Sequence, residues 1–198
     1  MNKPKLIGTA KLLIPPQYGK TILLQKLEIN KELIEYIIFH GMNTCQVIFP
    51  VTPRGEIILC QQFKNGIACL NGLGTTISKK SPLLLELPGG RLEKNETLKR
   101  AATRELFEET GYKSKDLIRL QDRLWYDPAV YTGFCVPWLA LGCTKISDRH
   151  GDKTETITRK ILPIRKWFEL IKKGEITDCR SVAISFLALP HLKSANLM

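Results

Sequence analysis

Residues 90–112 read GRLEKNETLKRAATRELFEETGY, and they are the most informative segment of the chain. The apolar run before it, residues 83–87, is typical of a buried strand, which a Pro-Gly-Gly turn ends. A helix is then expected to start near Asn95 or Glu96, since asparagine caps helices well. Gly111 suits the position just past the helix end. The stretch therefore predicts a strand, a glycine turn and a glutamate-rich helix.

Two glutamates fall on the apolar face of this helix. On a helical wheel at about 100° per residue, Glu105 and Glu109 lie within about 20° of Leu98, at the centre of the face that should be buried. A solvated face is the ordinary interpretation of clustered glutamates, but burying carboxylates without partners costs several kcal/mol. A cation should therefore meet them, and oxygen ligands of this kind suit Mg²⁺ or Mn²⁺. The other apolar members of the face are Ala101, Ala102 and Leu106.

Arg104 lies off this face and carries the charge that the neighbouring glutamates need. Its spacing allows it to pair with Glu108, four residues later, or with Glu96 from the preceding turns. A structural ion pair is thus the expected role of Arg104.

The same residues fit the pattern G-x5-E-x7-R-E-U-x-E-E-x-G-U, and the chain resembles the Nudix hydrolases. Seven fixed identities give a chance match on the order of 10⁻⁹ per starting position. The resemblance implies an α/β fold, a Nudix-type α/β/α sandwich with a mixed β-sheet and a small N-terminal β extension. It also implies hydrolysis of a diphosphate linkage with Mg²⁺, Mn²⁺ being possible. The seven identities are Gly90, Glu96, Arg104, Glu105, Glu108, Glu109 and Gly111.

Site roles follow from the resemblance residue by residue. The implied metal ligands are Glu105, Glu108, Glu109 and the backbone carbonyl of Gly89, and Glu108 and Glu109 are also the implied catalytic residues. The remaining residues of the pattern count as structural support, namely Gly90, Glu96, Arg104 and Gly111.

The sequence before the pattern resembles the ADP-ribose pyrophosphatase branch of the family. Residues 47–51 and 56–64 look like a β-hairpin, whose second strand ends in Gln62, an aromatic residue and Lys64. The branch has Arg in place of Lys64, and Lys loses the bidentate contact with phosphate. An ordinary surface lysine is the alternative for this residue. The branch implies that Gln62, Lys64 and Arg91 bind substrate.

Two residues after the pattern match positions of the same branch, one for the substrate and one for catalysis. Pro128, sixteen residues after Tyr112, matches a proline typical of enzymes that act on ADP-ribose, but residues 129–133 depart from the branch. Glu155, just before a strand at residues 157–163, matches an acidic residue that helps to position water or metal. Glu155 is therefore a further catalytic candidate, with Asp152 as the alternate, while His150 is expected to be a loop residue.

The chain divides, on the resemblance, into an N-terminal β extension at residues 1–43 and a Nudix domain at residues 44–198. Enzymes of this branch use such an extension to form a dimer in which each subunit supplies part of the other's substrate site, so a homodimer is expected. Tyr18, Tyr36 and Phe39 are candidates for stacking on adenine, with core packing as the ordinary alternative for each.

Composition favours a cytoplasmic enzyme. No apolar run approaches the ~18 residues of a membrane span. The six cysteines form no C-x-x-C pair, and they are expected to be buried free thiols in a reducing compartment.

The net charge of +11 leaves RNA open as a partner. The lysines are scattered, with no aromatic-interleaved motif, and this disfavours RNA binding. The alternatives to ADP-ribose are a nucleotide sugar, a dinucleotide, a nucleoside triphosphate or capped RNA. A non-catalytic module that binds RNA or a nucleotide is a weaker alternative, because it would not need an intact glutamate cluster.

Overall fold

The computed structural model describes residues 5–17, 20–41, 44–64, 83–148 and 157–198. The chain divides into two compact units, Met1–Thr44 with Arg123–Cys135, and Cys45–Asp122 with Val136–Met198.

The first unit contains a three-stranded antiparallel sheet. Its strands are β1 (Lys5–Gln17), β2 (Lys20–Ile29) and β3 (Glu32–Gly41), in that order. The β2–β3 hairpin closes through Asn30 and Lys31, both at positive φ.

The second unit carries the predicted strand, turn and helix. The strand is β6 (Leu83–Glu86) and the turn leads into β7 (Gly89–Arg91). Helix α1 (Leu98–Thr110) follows, and Gly111 at φ 75° ends it as predicted by donating its N–H to the carbonyl of Phe107 at 2.7 Å. The start differs from the prediction. The cap is Thr97, whose hydroxyl accepts the Arg100 N–H, whereas Asn95 stands in the preceding loop at φ 65°.

The remaining strands complete two larger sheets and a short pair. One sheet has the order β10-β11-β4-β7 with β9 beside β11, another has the order β13-β5-β6, and β12 pairs with β8. The bounds are β4 (Thr44–Pro50), β5 (Glu56–Phe63), β8 (Tyr112–Lys113), β9 (Asp116–Arg119), β10 (Leu124–Trp125), β11 (Phe134–Leu141), β12 (Thr144–Lys145) and β13 (Ile157–Pro163).

The β-hairpin predicted for residues 47–51 and 56–64 is wrong in its pairing. Both strands exist, as β4 and β5, but they belong to different sheets and share only the isolated bridge between Val51 and Ile57. The alternation of apolar residues identifies strands, but it does not say which strand lies beside which.

Two helices follow β13. Helix α2 is Ile164–Lys172, and Asp178 caps α3 (Cys179–Ser194). Helix α3 continues through Pro190. Within the described residues, every helix is too short or too polar to span a bilayer.

Strand β5 lies at the centre of the second unit. Four consecutive residues, Ile57 to Cys60, are at most 1% exposed. Successive strand residues point to opposite faces, so both faces of the sheet are covered. The Cys60 thiol contacts Glu109, which identifies the face of β5 that meets α1.

The described cysteines are free, as predicted, but they are not all buried. Cys60, Cys135 and Cys143 are buried, Cys45 is partly exposed and Cys179 is exposed at the start of α3. Burial raises the pKa of the Cys143 thiol to about 12. Cys69 lies outside the described residues.

Candidate active site

The glycine turn brings the backbone against the carboxylates of α1. Gly89 and Gly90 pair with Val47 and Gln46 across β4. A Cβ atom on Gly89 would overlap the backbone of Gln46, and one on Gly90 would overlap the carboxyl group of Glu105. Only glycine fits at either position without displacing a neighbour, which explains the glycine pair in the sequence.

Glu109 is the most deeply placed carboxylate of the helix. The residue is 8% exposed, and its Oε2 atom accepts the Gly89 N–H at 2.7 Å. The Cys60 thiol lies 3.7 Å from the same oxygen. Glu105 is also largely buried, with 12% of its side chain exposed. The prediction that both glutamates face inward is confirmed.

Arg104 joins three glutamates and one carbonyl. Its Nη1 atom donates to Glu105 at 2.8 Å and to Glu108 at 2.9 Å. Its Nε and Nη2 atoms donate to the two oxygens of Glu96 at 3.1 and 3.0 Å, and Nη2 also donates to the carbonyl of Arg91 at 2.8 Å. The predicted pairing with Glu96 and with Glu108 is confirmed, and Glu105 is an additional partner.

The ionisation of this cluster follows from its contacts. Hydrogen bonds from Arg104 lower the pKa of Glu96 below its usual value. Hydrogen bonding to Glu96, together with the charge of Glu105, raises the pKa of Arg104, so the guanidinium stays cationic. Three carboxylates surround the Arg104 guanidinium and Glu109 lies on the same helix, so these five side chains have a formal charge of −3 when all are ionised. Such an excess of negative oxygen ligands suits a hard divalent cation.

The carboxylates do not converge on a single point in this arrangement. Among the described residues, no group of three or more His, Cys, Asp or Glu side chains has the spacing of a metal site. Arg104 holds Glu105 and Glu108, while Glu109 turns toward Gly89. The donor chemistry of these carboxylates fits a divalent cation.

Lys64 contacts two side chains of the protein itself. Its Nζ atom forms an ion pair with Glu86 and donates to Gln62 Oε1 at 2.8 Å. Glu86 is 4% exposed and also accepts from Arg180 at 3.0 Å. Burial raises the pKa of Glu86, while Lys64 and Arg180 oppose that rise. The surface-lysine alternative for Lys64 is therefore wrong, since 29% of its side chain is exposed and it pairs with a buried carboxylate.

The other candidates lie in several places. The Arg91 side chain is exposed and its carbonyl accepts from Arg104. Pro128 is exposed in a turn of the first unit, where Asp127 accepts the Ala129 N–H. Phe39 is 48% exposed and Tyr36 is partly buried, both in the first unit. Glu155, Asp152, His150 and Tyr18 lie outside the described residues.

Sequence reasoning missed four residues around this site: Cys60, Glu86, Arg180 and Ser181. Each acts through a contact with a residue at least 22 positions away. Glu86 carried a signal, because it opens the Glu-Leu-Pro-Gly-Gly run before the turn. Nothing in the local pattern identified the other three.

Comparison with known proteins agrees with this geometry. The NUDIX domain profile matches residues 44–173, more than half of the chain. The chain belongs to the Nudix family. A relative from Bacillus subtilis (strain 168), described as an ADP-ribose pyrophosphatase, is 26% identical over 151 residues, which are 75% of this chain and 74% of the relative.

A solved structure has the same fold. It is described as the crystal structure of an ADP compounds hydrolase, and it superimposes with a TM-score of 0.80 at 21% identity over 100% of this chain and 98% of the other. The predicted Nudix α/β fold is confirmed, as is the resemblance to the ADP-ribose pyrophosphatase-like branch. The chain is a Nudix hydrolase that acts on a pyrophosphate linkage.

Proposed function

We propose that this Nudix hydrolase cleaves the diphosphate linkage of a nucleoside diphosphate joined to another moiety, in a reaction that depends on divalent metal. ADP-ribose is the leading substrate, and the products are AMP and ribose 5-phosphate. The observation that carries the proposal is the carboxylate cluster of α1 around Arg104, beside the glycine turn. The relative described as an ADP-ribose pyrophosphatase supports the choice of substrate.

The metal would be held by Glu105, Glu108, Glu109 and the backbone carbonyl of Gly89. Mg²⁺ is the proposed ion, and Mn²⁺ would also fit this oxygen-rich donor set. A bound divalent ion supplies charge neutralisation of the diphosphate and lowers the pKa of a bound water. Arg104 orients Glu105 and Glu108, and it remains charged because Glu96 accepts two of its hydrogen bonds.

Exposure separates the roles of the glutamates. The Glu108 side chain is 45% exposed, so a water and a substrate can reach its carboxylate, whereas Glu109 is buried against the Gly89 N–H. We assign Glu108 and Glu109 as catalytic residues, with Glu108 able to accept a proton from water and Glu109 fixed to the turn. Glu155, outside the described residues, is proposed as a third catalytic residue on the resemblance alone.

Substrate binding is assigned to Lys64, Gln62, Arg91 and Pro128. Lys64 is cationic beside Glu86, so a substrate phosphate would have to share it with that carboxylate. Arg91 offers an exposed guanidinium two residues after Gly89. Pro128 rests on the resemblance, since it lies in the first unit.

Turnover of a substrate panel tests the proposal. The panel holds ADP-ribose, nucleotide sugars, dinucleotides, nucleoside triphosphates and capped RNA, each assayed with Mg²⁺ and then with EDTA. Anion-exchange chromatography of the quenched reaction separates AMP and ribose 5-phosphate from intact ADP-ribose, and it reports cleavage of every compound in the panel with or without EDTA. We expect ADP-ribose to be cleaved fastest and EDTA to stop the reaction until Mg²⁺ or Mn²⁺ is restored. Preference for another compound would overturn the substrate, and full activity in EDTA would overturn the metal.

We also propose that residues 1–43 form an N-terminal dimerisation element and that residues 44–198 form the Nudix domain of a homodimer. Exposed apolar side chains support this, with Leu6 at 67%, Leu33 at 59% and Ile37 at 52%. Leu33 and Ile37 lie four residues apart on one face of β3. Association through such a patch would remove apolar area from water.

Analytical ultracentrifugation tests the dimer. Ile37→Glu should shift the chain to monomer, whereas the control Ile161→Glu, at an isoleucine 38% exposed in the second unit, should leave the dimer intact. A wild-type monomer, or a dimer that survives Ile37→Glu, would contradict this assignment. The cytoplasmic location stays a prediction.

A further inference from the structure

The segment from Glu86 to Gly89 crosses between two sheets of the second unit. Glu86 ends β6 opposite Cys60, and Gly89 begins β7 opposite Val47. Each of the four residues has its own anchor. The Glu86 side chain pairs with Lys64 and Arg180, the Leu87 N–H donates to Ser181 Oγ, the Pro88 carbonyl accepts the Ile48 N–H, and the Gly89 N–H donates to Glu109.

Ser181 supplies one of these anchors from the first turn of α3. It is 0% exposed, and its Oγ atom accepts the Leu87 N–H at 2.9 Å. The same hydroxyl donates to Asp178 Oδ2 at 2.7 Å, a direction fixed because an ionised carboxylate only accepts. The Ser181 N–H donates to that oxygen as well, at 3.0 Å. The helix cap and the crossing segment therefore share one hydrogen-bonded network.

Arg180 supplies the second anchor. Its Nε atom donates to Asp178 Oδ1 at 2.9 Å, and its Nη2 atom donates to Glu86 Oε2 at 3.0 Å. The side chains of Glu86 and Asp178 are at least 90% buried, so these contacts are shielded from solvent. Asp178, Arg180 and Ser181, here called the α3 clamp, thus hold two consecutive residues of the crossing segment.

We propose that the α3 clamp positions the catalytic turn for the pyrophosphate hydrolysis. Its residues act by fixing Glu86 and Leu87, which lie three and two residues before the Gly89 N–H that meets Glu109. Catalytic geometry tolerates little displacement, because a shift of about 1 Å can cost about 10²-fold in rate. The inference rests on the proposed catalytic role of Glu109.

Two buried serines on α3 provide a matched test. Ser185 lies one turn after Ser181 and is also 0% exposed. Its hydroxyl accepts from Trp167 Nε1 at 2.8 Å and donates to the Ser181 carbonyl at 2.6 Å, away from the crossing segment. Ser181→Ala and Ser185→Ala each leave one buried N–H donor without its acceptor, so both should lower stability.

Steady-state kinetics then separates positioning from stability. At a temperature where near-ultraviolet circular dichroism finds both variants folded, kcat of Ser181→Ala should fall by about 10-fold to 100-fold with KM changed by less than about threefold. Ser185→Ala should keep its kcat within about twofold of wild type. Arg180→Gln, at a side chain 28% exposed, serves as the second variant if Ser181→Ala does not fold, and its kcat should fall as well.

Amide hydrogen exchange gives a readout that needs no turnover. The backbone amides of the peptide that contains Leu87 and Gly89 should exchange faster in Ser181→Ala than in Ser185→Ala. The exchange rates of the other peptides should be similar in the two variants. Equal kcat for wild type, Ser181→Ala and Arg180→Gln would overturn the proposal, as would an equal kcat loss in Ser185→Ala. If the wild type cleaves nothing in the panel, the proposed function fails, and exchange at this peptide still decides whether the clamp holds the turn.

Discussion

Gly90 and the carboxyl group of Glu105 are so close that a Cβ atom on the glycine would overlap the carboxylate. The overlapping group is the end of a flexible side chain, so Gly90→Ala can keep the fold by displacing Glu105. We expect kcat to fall by about 10-fold to 100-fold because a proposed metal ligand leaves its position. Kinetics and thermal unfolding would measure the two effects. Gly174→Ala is the control, since a Cβ there meets nothing within 4 Å and only its positive φ is strained. Wild-type kcat in Gly90→Ala would contradict the role of Glu105.

Removing the charge of Glu108 or Glu109 should abolish turnover while the protein stays folded. Glu108→Gln changes a side chain that is 45% exposed, so the free energy of unfolding should change by about 0.5 kcal/mol or less. Glu109→Gln keeps an amide oxygen that can still accept the Gly89 N–H. We expect kcat to fall by at least about 10²-fold in each.

Glu169→Gln is the matched control for this pair. Glu169 lies on α2 with 57% of its side chain exposed and pairs with Lys166, so its loss should leave kcat unchanged. Near-normal turnover in Glu108→Gln and Glu109→Gln would mean that the metal assignment is wrong.

Local patterns predicted the catalytic segment well. The helix and its Gly111 terminus follow from apolar spacing and from the left-handed conformation that glycine adopts. The inward position of Glu109 follows from the same wheel. The start was misplaced because Asn95 and Thr97 are both suitable caps, and only Thr97 accepts the N–H three residues later.

Long-range pairing was beyond these patterns. The turn between β4 and β5 suggested a hairpin, yet the strands part after the Val51–Ile57 bridge and join different sheets. The Lys64–Glu86–Arg180 contacts likewise join residues 22 and 94 positions apart. Contacts across such sequence separations leave no periodic signal. The sequence therefore did not reveal that Lys64 pairs with the buried carboxylate of Glu86.

Arg104 should not tolerate replacement by lysine. Its planar guanidinium reaches Glu96, Glu105, Glu108 and the Arg91 carbonyl together, and a lysine ammonium lacks that fork. Arg104→Lys is expected to lower the free energy of unfolding by about 1–3 kcal/mol and to reduce kcat, because the carboxylates lose their alignment. Urea denaturation and kinetics would measure both.

The exposed Arg100, on the same helix, offers a matched substitution. Arg100→Lys should leave stability and kcat close to wild type, since its side chain lies outside the hydrogen bonds of the Arg104 cluster. If Arg104→Lys behaves like Arg100→Lys, then Arg104 does not organise the site.

The pH dependence of stability should reveal the Glu96–Arg104 pair. Arg104 lowers the folded-state pKa of Glu96 below the ordinary 4.5, so ionised Glu96 stabilises the fold above that value. This contribution is lost as pH falls from 4.5 through the lowered pKa, where the folded state also takes up the proton. Urea unfolding from neutral to acidic pH should therefore show a stability difference between wild type and Glu96→Gln that shrinks below 4.5. Glu93→Gln, at an exposed glutamate nearby, should follow the wild-type curve. A difference that stays constant into acid would mean that the Glu96 charge does not stabilise the fold.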